Sequence, residues 1–322
     1  MKKIISLGAF LFIVVIAYTA VWFWAAWQAS AYVRTLETAD GVSTPRVVCE
    51  DFRISGYPFG FDATCRGATI QTGDLTITAG VVQAAAEVYR PTHVIAFAES
   101  PVTFDDAFTG SRSRLDFDSA QASARLDGWR IGRVSVVVDA PAWTETLIGD
   151  RLLAQASRLE AHLLDMPEQH DAEAGLASLA QYVAVEGVNA PGADIADGRA
   201  TFEAEITNLP DDVRLYGDAD LLRRWQAANG RFNLVGLRGD DGGNFFTATG
   251  HLALDSAGRP EGQLQLSSRG VVERLGPMFP EQYRQWILGT QAADGSYSQT
   301  LNIAAGMVFS GLVPTGVIPP LF

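Results

Sequence analysis

The sequence predicts a mainly β protein: a β-rich α+β chain of antiparallel sheet with a few short helices, preceded by one N-terminal transmembrane helix. Three observations carry that prediction. An uncharged run from Ile4 to Val33 follows Met1-Lys2-Lys3 and ends at Arg34. Beyond it, many short stretches alternate apolar and polar residues with a period of two. Gly, Pro, Asp and Ser turn signals separate these stretches, where crossover helices would need longer periodic runs.

The first element is the apolar run. A bilayer core about 30 Å thick needs roughly 20 apolar helical residues, and Ile4–Phe23 supplies that length. Trp22, Trp24 and Trp27 cluster at its far end, where indoles favour the headgroup level. A cleaved signal peptide is the alternative, with Ala29-Ser30-Ala31 as the cleavage site. Signal cores span about 7–15 residues, so the length of this run favours an uncleaved anchor. Flanking charge orients it only weakly, because Lys2 and Lys3 are answered by Arg34 and Arg46. The three-residue amino tail and the long chain behind it point to an N-in, C-out anchor. Residues 1–40 are then anchor and spacer, and 41–322 a single β-rich domain beyond the membrane, with 41–190 and 191–322 as its possible halves.

Composition narrows the function classes. Of 322 residues, 48% are hydrophobic and 19% charged, which excludes wholesale disorder. The net charge is −13, and Lys2 and Lys3 are the only lysines. Such a domain repels polyanions, so nucleic acid is not an expected partner. Cys49 and Cys65 are the only cysteines, and an even count outside the cytoplasm reads as one disulfide.

Along the chain, the helix is expected to stop at Gly41 and a strand to cover Arg46–Ser55. Gly56-Tyr57-Pro58-Phe59-Gly60 then turns the chain, with Pro58 at the second turn position, and Phe61–Arg66 runs back. Leu75, Ile77, Ala79 and Val81 share one strand face, and further strands follow to Val138. Asp150–Asp165 fits both periods, with the β context favouring strand. Later strands are expected at Gln181–Val188, Thr201–Ile206, Arg231–Leu237, Phe245–Leu254, Gly262–Ser268 and Gln299–Phe309. Helices are expected from Asp218, as cap, to Ala228 and over Pro280–Leu288. Trp129, Trp143, Trp225 and Trp286 are expected in the core.

The hairpin from Cys49 through Gly56, Tyr57, Pro58 and Phe59 to Cys65, set just after a membrane helix, resembles the start of the alphaproteobacterial family of unknown function numbered 2125. That family has arginine after the Pro-Phe pair, where this chain has Gly60. The resemblance implies an inner-membrane-anchored periplasmic protein with no assigned activity. Gly250-His251-Leu252-Ala253-Leu254-Asp255, Gly258, Gly262-Gln263-Leu264-Gln265-Leu266 and the Pro319-Pro320-Leu321 ending are similar to the end of AsmA-like envelope proteins. This second resemblance implies an extended, curved sheet with an apolar concave face, and a link to outer-membrane assembly and phospholipid movement.

No catalytic motif stands out. Nothing resembles HExxH, GxSxG, a P-loop or a dinucleotide fingerprint. His162 and His170 flank a polar loop with Asp165, Glu168, Asp171 and Glu173, but their spacing fits a solvated loop better than a metal site. No metal or other cofactor is expected. The favoured function is cell-envelope maintenance through binding of phospholipid or another apolar ligand. Leu75, Ile77, Phe202, Ile206, Leu252, Leu254, Leu264 and Leu266 are candidate groove-lining residues, with ordinary core packing as the plainer role for each. Two alternatives stand beside it. One is a scaffold docking an envelope protein through a sheet edge or the Pro-rich tail. The other is a hydrolase using Asp105-Asp106, Asp116 with Asp118, or Asp211-Asp212.

Overall fold

The computed structural model describes residues 2–270 and 289–322. The helix expected over Pro280–Leu288, and Trp286 with it, lie outside the described residues. Strands dominate, their ladders are antiparallel, and one long apolar helix comes first.

That helix spans Lys2–Glu37 and is long and apolar enough to cross a membrane. Its burial changes part-way. Residues Ile4 to Tyr18 are exposed all round, whereas Thr19, Trp22, Ala25, Ala26, Ser30 and Val33 turn towards the chain that follows. Spacings of three and four place these on one helical face. Beyond the helix, Gly41 adopts φ +72°. Asp40 accepts hydrogen bonds from the amides of Val42, Ser43 and Thr44 and from the Ser43 hydroxyl. The Ser43 hydroxyl, then the Thr44 and Val42 amides, hold the Asp40 carboxyl down to about 2.

The chain groups into two compact units, Met1–Ala122 with Thr144–Arg151, and Ser123–Trp143 with Leu152–Phe322. In the first, the strand Leu75–Glu87 pairs along one side with Gly60–Thr72. Its other side takes Val102–Asp106 and then Arg90–Ala98. The strand expected over Arg46–Ser55 is two strands, Arg46–Val48 and Asp51–Ser55. The break falls at Cys49, which is disulfide-bonded to Cys65 with a Cα–Cα distance of 5.3 Å. In the motif turn, the amides of Phe59 and Gly60 donate to the Gly56 carbonyl at 3.1 and 2.9 Å. Pro58 is therefore the third residue of that turn, not the second, and the peptide bond before it is cis.

The second unit is a meander. Strands Arg130–Asp139, Arg158–Asp165, Leu176–Ala190, Ile195–Pro210, Phe232–Asp240, Phe245–Leu254, Pro260–Arg269 and Tyr297–Ala304 pair in succession. The ambiguous stretch 150–165 is β, as Arg151–Gln155 and Arg158–Asp165. The second of these has a ladder on both sides, and that tertiary pairing overrides the helix propensity of its Leu and Ala residues. Asp218 does not cap the helix, which spans Leu221–Ala227; its carboxylate holds Arg224 at 3.0 Å.

The strand expected over Gln299–Phe309 is a hairpin, Tyr297–Ala304 with Met307–Ser310. Ala305 and Gly306 both take positive φ, 50° and 79°, and turn the chain between them. The Pro-rich tail is not free. Val313–Val317 pairs with Met307–Ser310, and Leu321 donates to the Gly258 carbonyl at 2.9 Å. Trp225 is core, donating to the Thr207 carbonyl at 2.8 Å. Trp129 and Trp143 are exposed; the Arg214 guanidinium lies 4.5 Å over the Trp129 ring.

Candidate functional site

Register in the second unit lines up apolar side chains from strand to strand. One row runs Val136, Ala161, Val183, Phe202, Leu237, Ala248 and Leu266. A parallel row holds Leu179, Ile206, Phe232 and Leu252. Residues of opposite parity make the other face polar, as in Thr201, Arg238, Thr247, Ser267 and Ser298. Period-two side-chain direction thus gives the sheet one apolar and one polar side.

Six of the eight candidate groove residues share this apolar face: Phe202, Ile206, Leu252, Leu254, Leu264 and Leu266. All six are half-buried. Between them lie smaller or more central residues that are buried, including Ala204, Leu234 and Ala248. Larger, half-buried side chains thus alternate with buried ones along this face. Phe202 and Phe232 stack on this face with centroids 6.5 Å apart. Leu75 and Ile77 belong to the first unit, where Ile77 pairs with Ile70 and Phe104.

Two Leu–Gly pairs lie on this face. Gly250 faces Leu264, and Leu252 faces Gly262 on the adjacent strand. A Cβ on Gly250 would lie 2.1 Å from the Gln263 carbonyl oxygen and 2.9 Å from Leu264 Cδ2. The Leu264 side chain lies over the space that Gly250 leaves open, and at Gly262 a Cβ would meet the His251 and Leu252 backbone instead.

At one end of the second unit's sheet is an apolar pocket of about 210 Å³, with Val188, Ile195, Ala200, Phe245 and Phe246 in its walls. Beyond the row of Leu179 and Ile206, the other end is charged. Arg130 donates to His170 Nδ1 at 2.7 Å and to Asp127 at 2.8 Å, and His170 Nε2 lies 3.3 Å from Asp211. Guanidinium is only a donor, so Nδ1 accepts and the Nε2–H points to Asp211. Asp165 is 8% exposed, 3.5 Å from Arg130, and one of its oxygens has no hydrogen-bond partner. Burial, then the Asp211 and Asp165 carboxylates, push the neighbouring Tyr216 phenol up to about 12.

This charged cluster joins residues far apart in sequence through strand register, which a single sequence does not display. The one available signal was the polar loop holding His170. Its companion His162 lies elsewhere, against Glu160 and stacked on Tyr182. Among the described residues no His, Cys, Asp and Glu group could hold a metal ion. One carboxylate of each pair is engaged by an arginine: Asp105 by Arg112, Asp116 by Arg114, Asp212 by Arg214.

The motif turn has its own setting within the first unit. Trp22 donates to the Gly60 carbonyl at 3.0 Å, stacks on Phe61 at 5.2 Å and meets Tyr57 edge-on at 5.5 Å. The Thr19 hydroxyl bonds Tyr57 at 2.8 Å, and Tyr18 donates to the Pro58 carbonyl.

A sequence pattern of uncharacterised proteins conserved in bacteria, DUF2125, matches residues 22–319. The chain belongs to this family. The DUF2125 match begins at Trp22, the buried residue that seats the helix on the motif turn. No curated protein and no solved structure matches the chain.

Proposed function

We propose that this DUF2125 protein is an inner-membrane-anchored periplasmic protein that shelters the acyl chain of a phospholipid, or a similar apolar ligand, in cell-envelope maintenance. The observation that carries the reading is the apolar face of the second unit, which crosses successive strands and stays half-buried. Each methylene withdrawn onto that face gains about 0.8 kcal/mol, so a ten-methylene stretch gains about 8 kcal/mol before ordering costs. The helix Lys2–Glu37 supports anchoring, and the Cys49–Cys65 disulfide suits an oxidising compartment. With Lys2 and Lys3 inside, residues 41–322 work outside the membrane as a β-rich periplasmic domain.

Native mass spectrometry of the purified full chain tests this. Phospholipid-mass adducts are expected on the parent protein and lost in the doubly substituted Leu252→Arg, Leu264→Arg protein. Adducts retained by that variant, or absent from the parent, contradict the reading.

A further inference from the structure

The motif turn sits where a membrane would reach. The part of the helix exposed all round, Ile4 to Tyr18, rises only about 21 Å at 1.5 Å per residue, and Tyr18 at its end already reaches the Pro58 carbonyl. A hydrocarbon core is about 30 Å thick. The missing ~9 Å must come from the next turn and a half of helix, and there Thr19 and Trp22 are already held by Tyr57, Gly60 and Phe61. Anchoring the helix therefore brings the turn into the outer leaflet beside it.

The turn is chemically suited to that depth. Phe59 is 77% exposed and Tyr57 44% exposed. The adjoining turn adds Tyr89, 69% exposed, and the two turns are tied by Val88 N–H donating to the Phe59 carbonyl at 3.0 Å. Backbone carbonyls in lipid need partners. Four of the turn's five, those of Gly56, Pro58, Phe59 and Gly60, have one, and Pro58 has no N–H to satisfy. Glu87 and Arg90, opposite each other directly behind the tip, mark where burial would stop.

We propose that Tyr57, Phe59 and Tyr89 form an aromatic wedge seated in the outer leaflet, giving the protein a second bilayer contact beside its helix. The wedge fixes the first unit at the membrane surface. It rests on the anchor reading above, and the test separates the two. Phe59→Cys in the full chain is labelled with an environment-sensitive fluorophore and reconstituted into phosphatidylethanolamine–phosphatidylglycerol vesicles. The native cysteines are paired and do not react. Phe12→Cys reports helix insertion. Phe108→Cys, exposed in the turn after the strand that pairs with the far end of Leu75–Glu87, reports water. Lipids spin-labelled near the head of the acyl chain are expected to quench the label at 59 and shift its emission to the blue, while sparing the label at 108. A label at 59 that behaves like the one at 108, with 12 quenched by deep spin labels, overturns the wedge alone. An unquenched label at 12 overturns the anchor, and the wedge with it.

Discussion

Substitution of Gly250 by alanine tests the register on which the apolar face depends. Gly250 adopts φ +155°, and its new Cβ would lie 2.1 Å from the Gln263 carbonyl oxygen and 2.9 Å from Leu264 Cα. Neither strand can retreat freely, because Gly250 faces Leu234 on one side and Leu264 on the other. Forcing an alanine into this backbone region costs ~1–3 kcal/mol, and overpacking costs ~1–3 kcal/mol. Together these give a loss of about 2–6 kcal/mol, a large part of an ordinary domain's stability. With a urea slope of about 3 kcal/mol/M, the midpoint should fall by about 0.7–2 M. Gly243→Ala is the control, since a Cβ there meets nothing within 4 Å. Equal urea midpoints for the two variants would refute the Leu–Gly packing and the placement of Leu252 and Leu264 on the apolar face.

Replacing Cys49 and Cys65 together by serine opens a loop of sequence separation 16. Chain entropy puts the loss at about 3 kcal/mol, read as a lowered urea midpoint; reductant should reproduce it in the parent, and an unchanged midpoint would contradict it. Trp22→Ala removes a side chain only 4% exposed, at a cost of ~3–5 kcal/mol. Limited proteolysis should then cut between the helix and Gly41 much faster than in the parent, and an unchanged rate would show that the helix is not held there. Asp40 titrates near 2, below its ordinary value of 3.8. A depressed folded value stabilises above the ordinary range, and that contribution is lost as pH falls through about 2. Amide protection at Val42, Ser43 and Thr44 should decline from about pH 4 downwards in the parent. It should be weak and flat in Asp40→Ala, and identical profiles would contradict the cap.

Much of this architecture is legible in the sequence because alternation is a local signal. Leu75, Ile77 and Ala79, or Phe202, Ala204 and Ile206, show their face without help from partners. The segment 158–165 was ambiguous because Leu159 and Leu163 satisfy both periods, and only the ladders on both its sides decide between them. The last hairpin was hidden because Ala305 carries no turn signal, although Gly306 beside it does. Docking of the helix was illegible for another reason: Trp22 and Ala26 are apolar within an apolar run, so their face has no contrast. The charged cluster of Arg130, Asp165, His170 and Asp211 exists only through register, and the 210 Å³ pocket contains none of the candidate groove residues.

The most direct test of acyl binding is photo-crosslinking of the full chain, in vesicles, with a phospholipid carrying a photoactivatable group along its acyl chain. Peptide mapping should find the adducts on the second unit's apolar face, at Phe202, Leu252, Leu264 and Leu266, in addition to the helix segment within the bilayer. Adducts confined to that helix and the motif turn would contradict a sheltered acyl chain.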